Sequence, residues 1–392
     1  MKKQLYIFNP WHDMALANFT PYYKIPSEIL RMTNDLAFLP LWYAPDDTLI
    51  KIPDTESAEC FCSQVSVLNK DFHERFTADI ISGEISPWGW SPALVHMLAN
   101  GGVESGFLPD VKQLDQIRYL SGRQRCVDVL THFSSVDGTC GETFCCHDMD
   151  EVKIHLSSYD KIILKAPWSG SGRGLCRVSS ENWTSNVEGW ASRILRTQGC
   201  IMAEPLYNKV CDFAMEFYSS PDGEVTFAGY SLFETDDFGN YKQNILMSDS
   251  RIEYRLLEYG IRPETLYEVR NKLLEIFNQM IGGIYTDYFG VDMMLCNQNG
   301  RTLLHPCVEI NMRMNMGVVS RMIFDIYVSS ASAGLFVVEH YNSDNEAIDF
   351  HKRMTDEYPL DMDDGNRIRS GYLTLTPVLP TTRYQAYIIV SV

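Results

Sequence analysis

The sequence predicts an α/β (α+β) protein of several domains, and three observations carry that reading. Short apolar runs rich in Val, Ile and Leu alternate with stretches whose apolar residues fall at helical spacing. A lysine-bearing apolar run leads directly into a glycine cluster at 161–174, and an Asn-Gly step joins two apolar runs at 299–300. With 392 residues the chain is also too long for one ordinary core, so two or three packed domains are expected.

Taken in order, residues 4–8 read as a short buried strand ending in the turn-like Asn9-Pro10-Trp11-His12-Asp13. Apolar runs at 36–43 and 92–98 supply strand and helix pieces of an N-terminal α/β domain, and Leu108-Pro109-Asp110 marks its boundary. Residues 111–131 carry Leu114, Ile117, Leu120, Val127 and Leu130 at helix-like spacing. The run 161–165 is a short strand stopped by Pro167 and the glycines that follow. Residues 181–197 and 263–280 are amphipathic helices, the second with Pro263 near its start and Gly282 just past its end. Residues 201–218, 224–233, 290–296 and 302–312 read as strands, and 370–391 as a hairpin turning at Pro380-Thr381-Thr382. There is no internal repeat, low-complexity tract or long flexible linker.

Charge and composition exclude several functions. A formal net charge of −18, with no basic run, repels nucleic acid and anionic membrane surfaces. No apolar run approaches the roughly 18–20 residues that span a bilayer. The N-terminal stretch turns polar too soon for a signal-peptide core, so a cytoplasmic protein is expected. Eleven scattered cysteines fit reduced thiols better than a disulfide framework. The densest group, Cys140, Cys145, Cys146 and His147, lacks the two separated ligand pairs of a zinc ribbon or finger, so buried or loop thiols are the favoured reading. In so acidic a chain, the cationic contacts of any anionic ligand must be local, beside glycines.

Such a place exists. A strand delivers Lys165, and Ser169-Gly170-Ser171-Gly172-Arg173-Gly174 follows within a few residues. Glycines let backbone N–H groups turn toward phosphate oxygens, and Lys165 and Arg173 add point charges. The pattern is not a Walker A loop, which ends in Gly-Lys-Ser/Thr, nor a protein-kinase loop, whose glycines precede the lysine.

A second place is acidic. Gly290–Cys296 and 301–313 flank Asn299-Gly300, a strong hairpin signal. A two-residue loop pairs 292 with 307, and a four-residue loop pairs 292 with 305. Both registers put Asp292, Glu309, Asn311 and Arg313 on one face, because strand side chains alternate. Two carboxylates and a neutral oxygen ligand on one face suit Mg²⁺ completed by phosphate oxygens. A solvated edge would carry the same residues, but these strands are dominated by Val, Met, Leu and Ile, among which an unpaired acid is costly.

Together these stretches resemble the ATP-grasp superfamily over residues of about 113–325, with Glu309-x-Asn311-x-Arg313 the most specific part. The resemblance implies an N-terminal α/β domain at 1–112. After it would come an ATP-grasp N-lobe at 113–200 with the Gly-rich loop and a C-lobe at 201–330 with the metal site, and then a helix and hairpin at 331–392 packing on the C-lobe. It implies that Lys165 contacts the α- or β-phosphate and that Ser169, Gly170, Ser171, Gly172, Arg173 and Gly174 close over the phosphates. Glu204 and the Leu206 backbone would read adenine, and Asp212 would take the ribose. Asp292, Glu309 and Asn311 would hold two Mg²⁺ ions, with Mn²⁺ able to replace them, and Arg313 would stabilise the phosphoryl group in flight. The family often has an earlier phosphate lysine at a helix start; here Arg123 stands in that segment.

The implied chemistry is a carboxylate–amine ligation. A small-molecule or peptide carboxylate attacks the γ-phosphate of Mg-ATP, and an amine then displaces phosphate from the acyl phosphate, leaving ADP and phosphate. A homodimer is compatible with this reading. Tyr241-Lys242-Gln243-Asn244 is either a substrate-closing segment or a surface loop. Asn9, His12 and Asp13 are either substrate contacts or structural, and Arg321 either meets a substrate carboxylate or caps a helix. The competing functions are an ATP-grasp phosphotransferase and a non-catalytic nucleotide-binding scaffold.

Overall fold

A computed structural model describes residues 4–68, 70–170, 174–235 and 241–392. The chain forms two compact units, one of Met1–Leu114, Lys242–Arg251 and Arg313–Val392, the other of Asp115–Tyr241 and Ile252–Met312. Residues 331–392 therefore group with the N-terminal segment.

In the first unit, Leu5–Ile7 is an inner strand of a parallel sheet in the order Phe76–Thr77, Leu49–Lys51, Leu5–Ile7, Ile85–Pro87. Helix Pro92–Asn100 starts where Ser91 Oγ accepts the Leu94 N–H, and its Leu94 and Leu98 pack with Leu5, Ile7 and Trp11. The run at 36–43 supplies a buried 3-10 turn, Leu39–Trp42, rather than a strand. Pro40 within it has no N–H for a sheet ladder. Antiparallel strands follow in the order Tyr241–Leu246, Ala333–His340, Tyr384–Ser391, Ile368–Thr374, Asp361–Met362. The expected C-terminal hairpin is the Ile368–Thr374 and Tyr384–Ser391 pair. Residues 241–244 are strand, with Gln243 opposite Val337, and not a surface loop. Arg321 is buried and donates to the Met247 carbonyl and to Asp249, and it also pairs with Asp325, so it is committed to the scaffold.

In the second unit, an antiparallel sheet runs in the order Phe144–Cys146, Ile201–Pro205, Lys161–Lys165, Leu175–Ser179. Helices Met149–Ser158 and Ser185–Gln198 lay Val152, Leu156, Ala191 and Ile194 on Ile162, Leu164 and Ala203. Asp148 and Thr184 cap their N-termini, and Gly199 (φ 86°) ends the second in the left-handed region that glycine favours. The expected single strand at 201–218 is two, because Pro205 cannot donate to a ladder and the chain crosses to another sheet. Likewise 111–131 breaks at Ser121-Gly122-Arg123 into helices Val111–Leu120 and Gln124–Thr131.

The other sheet strands of this unit are antiparallel, in the order Arg301–Asn311, Asp287–Gln298, Lys209–Ser219, Val225–Thr235. Helix Pro263–Met280 covers them, with the Phe277 ring 5.4 Å from Phe217 and 5.2 Å from Phe289. Asn299 (φ 53°) and Gly300 (φ 80°) make the two-residue turn, and Gln298 pairs with Arg301. Farther from the turn the register departs from both expected pairings: Asp292 lies opposite Glu309, not opposite 307 or 305. The cause is a bulge around Pro306, which supplies no N–H; Met294 faces His305 while Asp292 faces Glu309. The extra residues are even in number, so every side chain keeps its expected face. No helix among the described residues is long and apolar enough to cross a membrane.

Candidate active site

Residues opposed across an antiparallel pair project to the same side, so the register defines one face of this sheet. It carries Asp212 and Glu216 on one strand, Asp292 and Met294 on the next, and His305, Glu309 and Asn311 on the third. Asp292 and Glu309 are directly opposed, and Asn311 follows on the same face opposite Gly290. Asp212 is engaged by Lys209 Nζ and by Thr235 Oγ1, the latter at 3.0 Å. Glu216 is a further acid on this face, only 1% exposed, that sequence reading missed. The available signal was the two-residue period counted on from Asp212.

Lys165 and Glu204 lie on neighbouring strands of the other sheet, Glu204 opposite Ile163 and Lys165 opposite Met202. This diagonal brings Lys165 Nζ within 2.6 Å of Glu204 Oε2, with the side chains 6% and 3% exposed. Thr143 Oγ1 donates to the other Glu204 oxygen at 3.2 Å. The Leu206 N–H is taken by the Lys161 carbonyl at 3.0 Å.

His305, also missed from sequence, is fully buried, and neither ring nitrogen has a hydrogen-bond partner among the described residues. Burial pushes its pKa down to about 3, helped by the nearby Lys165 charge. Tyr207 meets the ring edge-on at 5.4 Å. A Cβ on Gly141 (φ +120°) would stand 2.8 Å from His305 Nε2, so only glycine lets this backbone pack on the imidazole.

Arg123 precedes helix Gln124–Thr131, as a helix-start phosphate residue would, but its guanidinium is held by the protein. It donates to the Ala166 carbonyl at 2.6 Å, Ser169 Oγ at 2.7 Å and Glu309 Oε2 at 2.7 Å. Burial pulls its pKa down, but Glu309 more than offsets this and raises it. Arg123 thus ties the Gly-rich loop to the acidic face. The loop closes where Ala166 N–H donates to the Gly174 carbonyl at 2.8 Å; a Cβ on Gly174 (φ +83°) would lie 2.8 Å from the Ser169 Cβ. Trp168 N–H and C=O are bracketed by the Gln198 side chain at 2.9 and 3.2 Å. Gly170 lies in the irregular stretch that follows, and Ser171, Gly172 and Arg173 lie outside the described residues.

Arg313 belongs to the first unit. Its Nε and Nη2 donate to the Asp13 carboxylate at 2.9 and 2.8 Å, a bidentate pair, and Nη1 donates to the Met314 carbonyl. Asn9 is structural, exchanging hydrogen bonds with both the N–H and the C=O of Gly89. His12 packs against the same glycine, where a Cβ would stand 2.5 Å from its ring. Burial takes the His12 pKa down to about 4, with Arg313 opposing and Asp13 favouring its charge.

The residues fit a magnesium–phosphate ligand. Asp292, Glu309 and Asn311 supply only oxygen donors, as a hard cation requires. Among the described residues no three His, Cys, Asp or Glu side chains converge into a ready cage, the cysteine group at 140–147 included. A pair of carboxylates leaves most of a cation's shell to phosphate oxygens, which is how Mg²⁺ is commonly held.

No family model and no curated protein matches this chain. Solved structures match it over its whole length. N5-carboxyaminoimidazole synthetase from Staphylococcus aureus aligns at a TM-score of 0.51 and 12% identity over 100% of this chain and 94% of that one. Biotin carboxylase from Campylobacter jejuni, in a β-γ-ATP complex, aligns at 0.51 and 12% over 99% and 87%. The biotin carboxylase domain of the Hydrogenobacter thermophilus 2-oxoglutarate carboxylase, solved as a dimer with MgADP, ADP and bicarbonate, aligns at 0.51 and 13% over 99% and 86%. This chain shares their fold, and it is the ATP-grasp fold that the sequence motifs resemble.

Proposed function

We propose that this chain is an ATP-dependent carboxylate–amine ligase that activates a carboxylate as an acyl phosphate and couples it to an amine. The observation that supports this best is the acidic face. Asp292 and Glu309 are directly opposed, with Asn311 beside them, in a fold shared with ATP-grasp enzymes. In this reading Lys165 contacts an ATP phosphate, and Glu204 with the Leu206 carbonyl reads the base. Asp212 takes the ribose, and Arg123 and Ser169 shape the loop over the phosphates. Asp292, Glu309 and Asn311 hold Mg²⁺, two ions or Mn²⁺ in their place, whose contribution when bound is to neutralise phosphate charge. Glu309 serves this after exchanging its Arg123 contact for the cation. The Gly-rich loop excludes water from the acyl phosphate. A cytoplasmic site and a homodimer complete the reading.

Bicarbonate, present in one neighbour's structure, is the first carboxylate to test. A panel of carboxylates and amines should reveal a pair that drives release of ADP and phosphate, with hydroxylamine trapping an acyl hydroxamate. Formation of AMP and pyrophosphate would place the enzyme in an adenylating class. A phosphorylated product formed without any amine would make it a phosphotransferase. Mg-ATP binding without turnover on any pair would favour a scaffold.

A further inference from the structure

The thiols that the ligase reading leaves unused are not scattered in space. Antiparallel pairing of Phe144–Cys146 with Ile201–Pro205 puts Cys145 opposite Met202 and Cys146 opposite Ile201. Cys145 and Cys200 therefore occupy diagonal positions on one face, and their thiols share a hydrogen bond. His147 Nε2 is 3.8 Å from Cys145 Sγ. Cys145 is half-buried and lines a surface cavity of about 420 Å³ with Val127, Phe144, Glu151 and Ile154, whereas Cys200 is buried. Of the two, Cys145 lines the cavity and Cys200 does not.

We propose that Cys145 and Cys200 form a reversible dithiol–disulfide pair, oxidised by a low-molecular-weight disulfide entering this cavity, and that the crosslink weakens nucleotide binding. The second half of this rests on the ligase reading. The S–H retained by one sulfur donates to the other, which pulls the first ionisation of the pair below that of an ordinary thiol, to about 7 at Cys200. The Gln124 side chain, whose Nε2 donates to Cys200 Sγ at 3.2 Å, and the nearby His147 add to this, while burial opposes it.

The exchange balances in two steps. The hydrogen bond to Cys200 and burial push the Cys145 thiol up, so attack follows transfer of the Cys145 proton to the Cys200 thiolate. The Cys145 sulfur, then the one thiolate of the pair, attacks one sulfur of the small disulfide, whose S–S bond breaks and releases one thiolate. That thiolate takes up the proton the pair lost in its first ionisation. The Cys200 thiolate then attacks the Cys145 sulfur of the mixed disulfide and displaces the second small thiolate, which takes the proton from Cys200. Two protein thiols lose two electrons, and one small disulfide becomes two thiols.

The effect on nucleotide follows from what is attached to Cys200. Its sulfur is the acceptor for Gln124, the first residue of the helix preceded by Arg123, which holds Ser169 and Glu309. Two residues before Cys200, Gln198 brackets Trp168 at the entrance of the Gly-rich loop. Drawing the Cys200 sulfur into a bond with Cys145 removes the Gln124 acceptor and pulls on the turn that carries Gln198.

The test uses the full chain and cystamine, a small dicationic disulfide suited to a cavity edged by Glu151. Incubation of the reduced protein, followed by removal of reagent, should leave an intact mass lower by two hydrogens. A non-reducing peptide map should show Cys145 joined to Cys200, and the link should be reversed by a thiol reductant. Mg-ATP affinity measured by calorimetry should fall at least tenfold on oxidation and recover on reduction. Neither change should occur in Cys145→Ser or Cys200→Ser, either of which suffices if the other fails to fold. A persistent mixed disulfide on Cys145, a link between other cysteines, or a Cys145–Cys200 link with unchanged affinity overturns the proposal. A reduced protein that binds no Mg-ATP sinks the ligase reading and the proposed effect on affinity, while the crosslink is still judged by mass.

Discussion

At the scale of single residues, Lys165 and Glu204 show how a binding group constrains the scaffold. Both are nearly sealed from solvent, so each depends on the other for its charge. Lys165→Met should therefore do two things. It should destabilise the protein by about 3–5 kcal/mol, because Glu204 is left buried without its cation. It should also lower Mg-ATP affinity more than tenfold, since a charge-assisted phosphate contact is worth about 1.5–3 kcal/mol. Adding Glu204→Gln should return much of the stability, as a neutral pair no longer carries an isolated charge, without returning the affinity. Urea denaturation and calorimetry on the three proteins check both. A single variant that binds Mg-ATP normally would remove Lys165 from the site.

At the scale of elements, the contact to weigh is Arg123 with Glu309, which joins helix Gln124–Thr131 to strand Arg301–Asn311. Two carboxylates facing each other across a hairpin repel, and on that ground alone Glu309→Gln should stabilise the nucleotide-free protein. The buried guanidinium of Arg123 reverses the sign. Glutamine leaves that cation facing a neutral amide, so stability should fall by about 1–3 kcal/mol. Mg-ATP should also protect the variant less, because one cation-holding charge is gone. A double-mutant cycle with Arg123→Met and Glu309→Gln should give an interaction above about 1 kcal/mol. A value near zero would mean that the contact is incidental and that repulsion between Asp292 and Glu309 dominates.

At the scale of the molecule, each unit contains one buried neutral histidine: His12 in the first, with a pKa of about 4, and His305 in the second, at about 3. Both values lie below the unfolded value of about 6.5. The unfolded chain therefore binds more protons as pH falls below that value, and the contribution of each histidine is fully present above it. It is lost on acidification through the folded pKa, at about 1.4 kcal/mol per pH unit for each group. Stability should decline steadily from about pH 6.5 to 4, beyond what the carboxylates account for. His305→Gln should flatten that decline by about half, and His12→Gln should do likewise. Denaturant titrations at several pH values check this; an unchanged slope in both variants would assign acid lability elsewhere.

Much of this protein is written locally. The strand Lys161–Lys165, the helix Pro263–Met280 and the Asn299-Gly300 turn follow from hydrophobic period, a proline at a helix start and the positive φ that Asn and Gly tolerate. The common face of Asp292, Glu309 and Asn311 follows from the alternation of a strand, and it survived a register shift because the bulge at Pro306 adds an even number of residues. What sequence could not supply depends on non-local packing. Asp292 faces Glu309 because of that bulge, and Arg123 faces Glu309 rather than solvent because its helix lies against the strand. His305 acquires its burial from neighbours far along the chain, Gly141 and Tyr207 among them. Cys145 and Cys200, 55 positions apart by number, meet only once two strands pair. Local patterns depend on neighbouring residues alone and so determine elements and faces. Burial, ion pairing and thiol contact depend on which elements meet, and that is decided only when the whole chain packs.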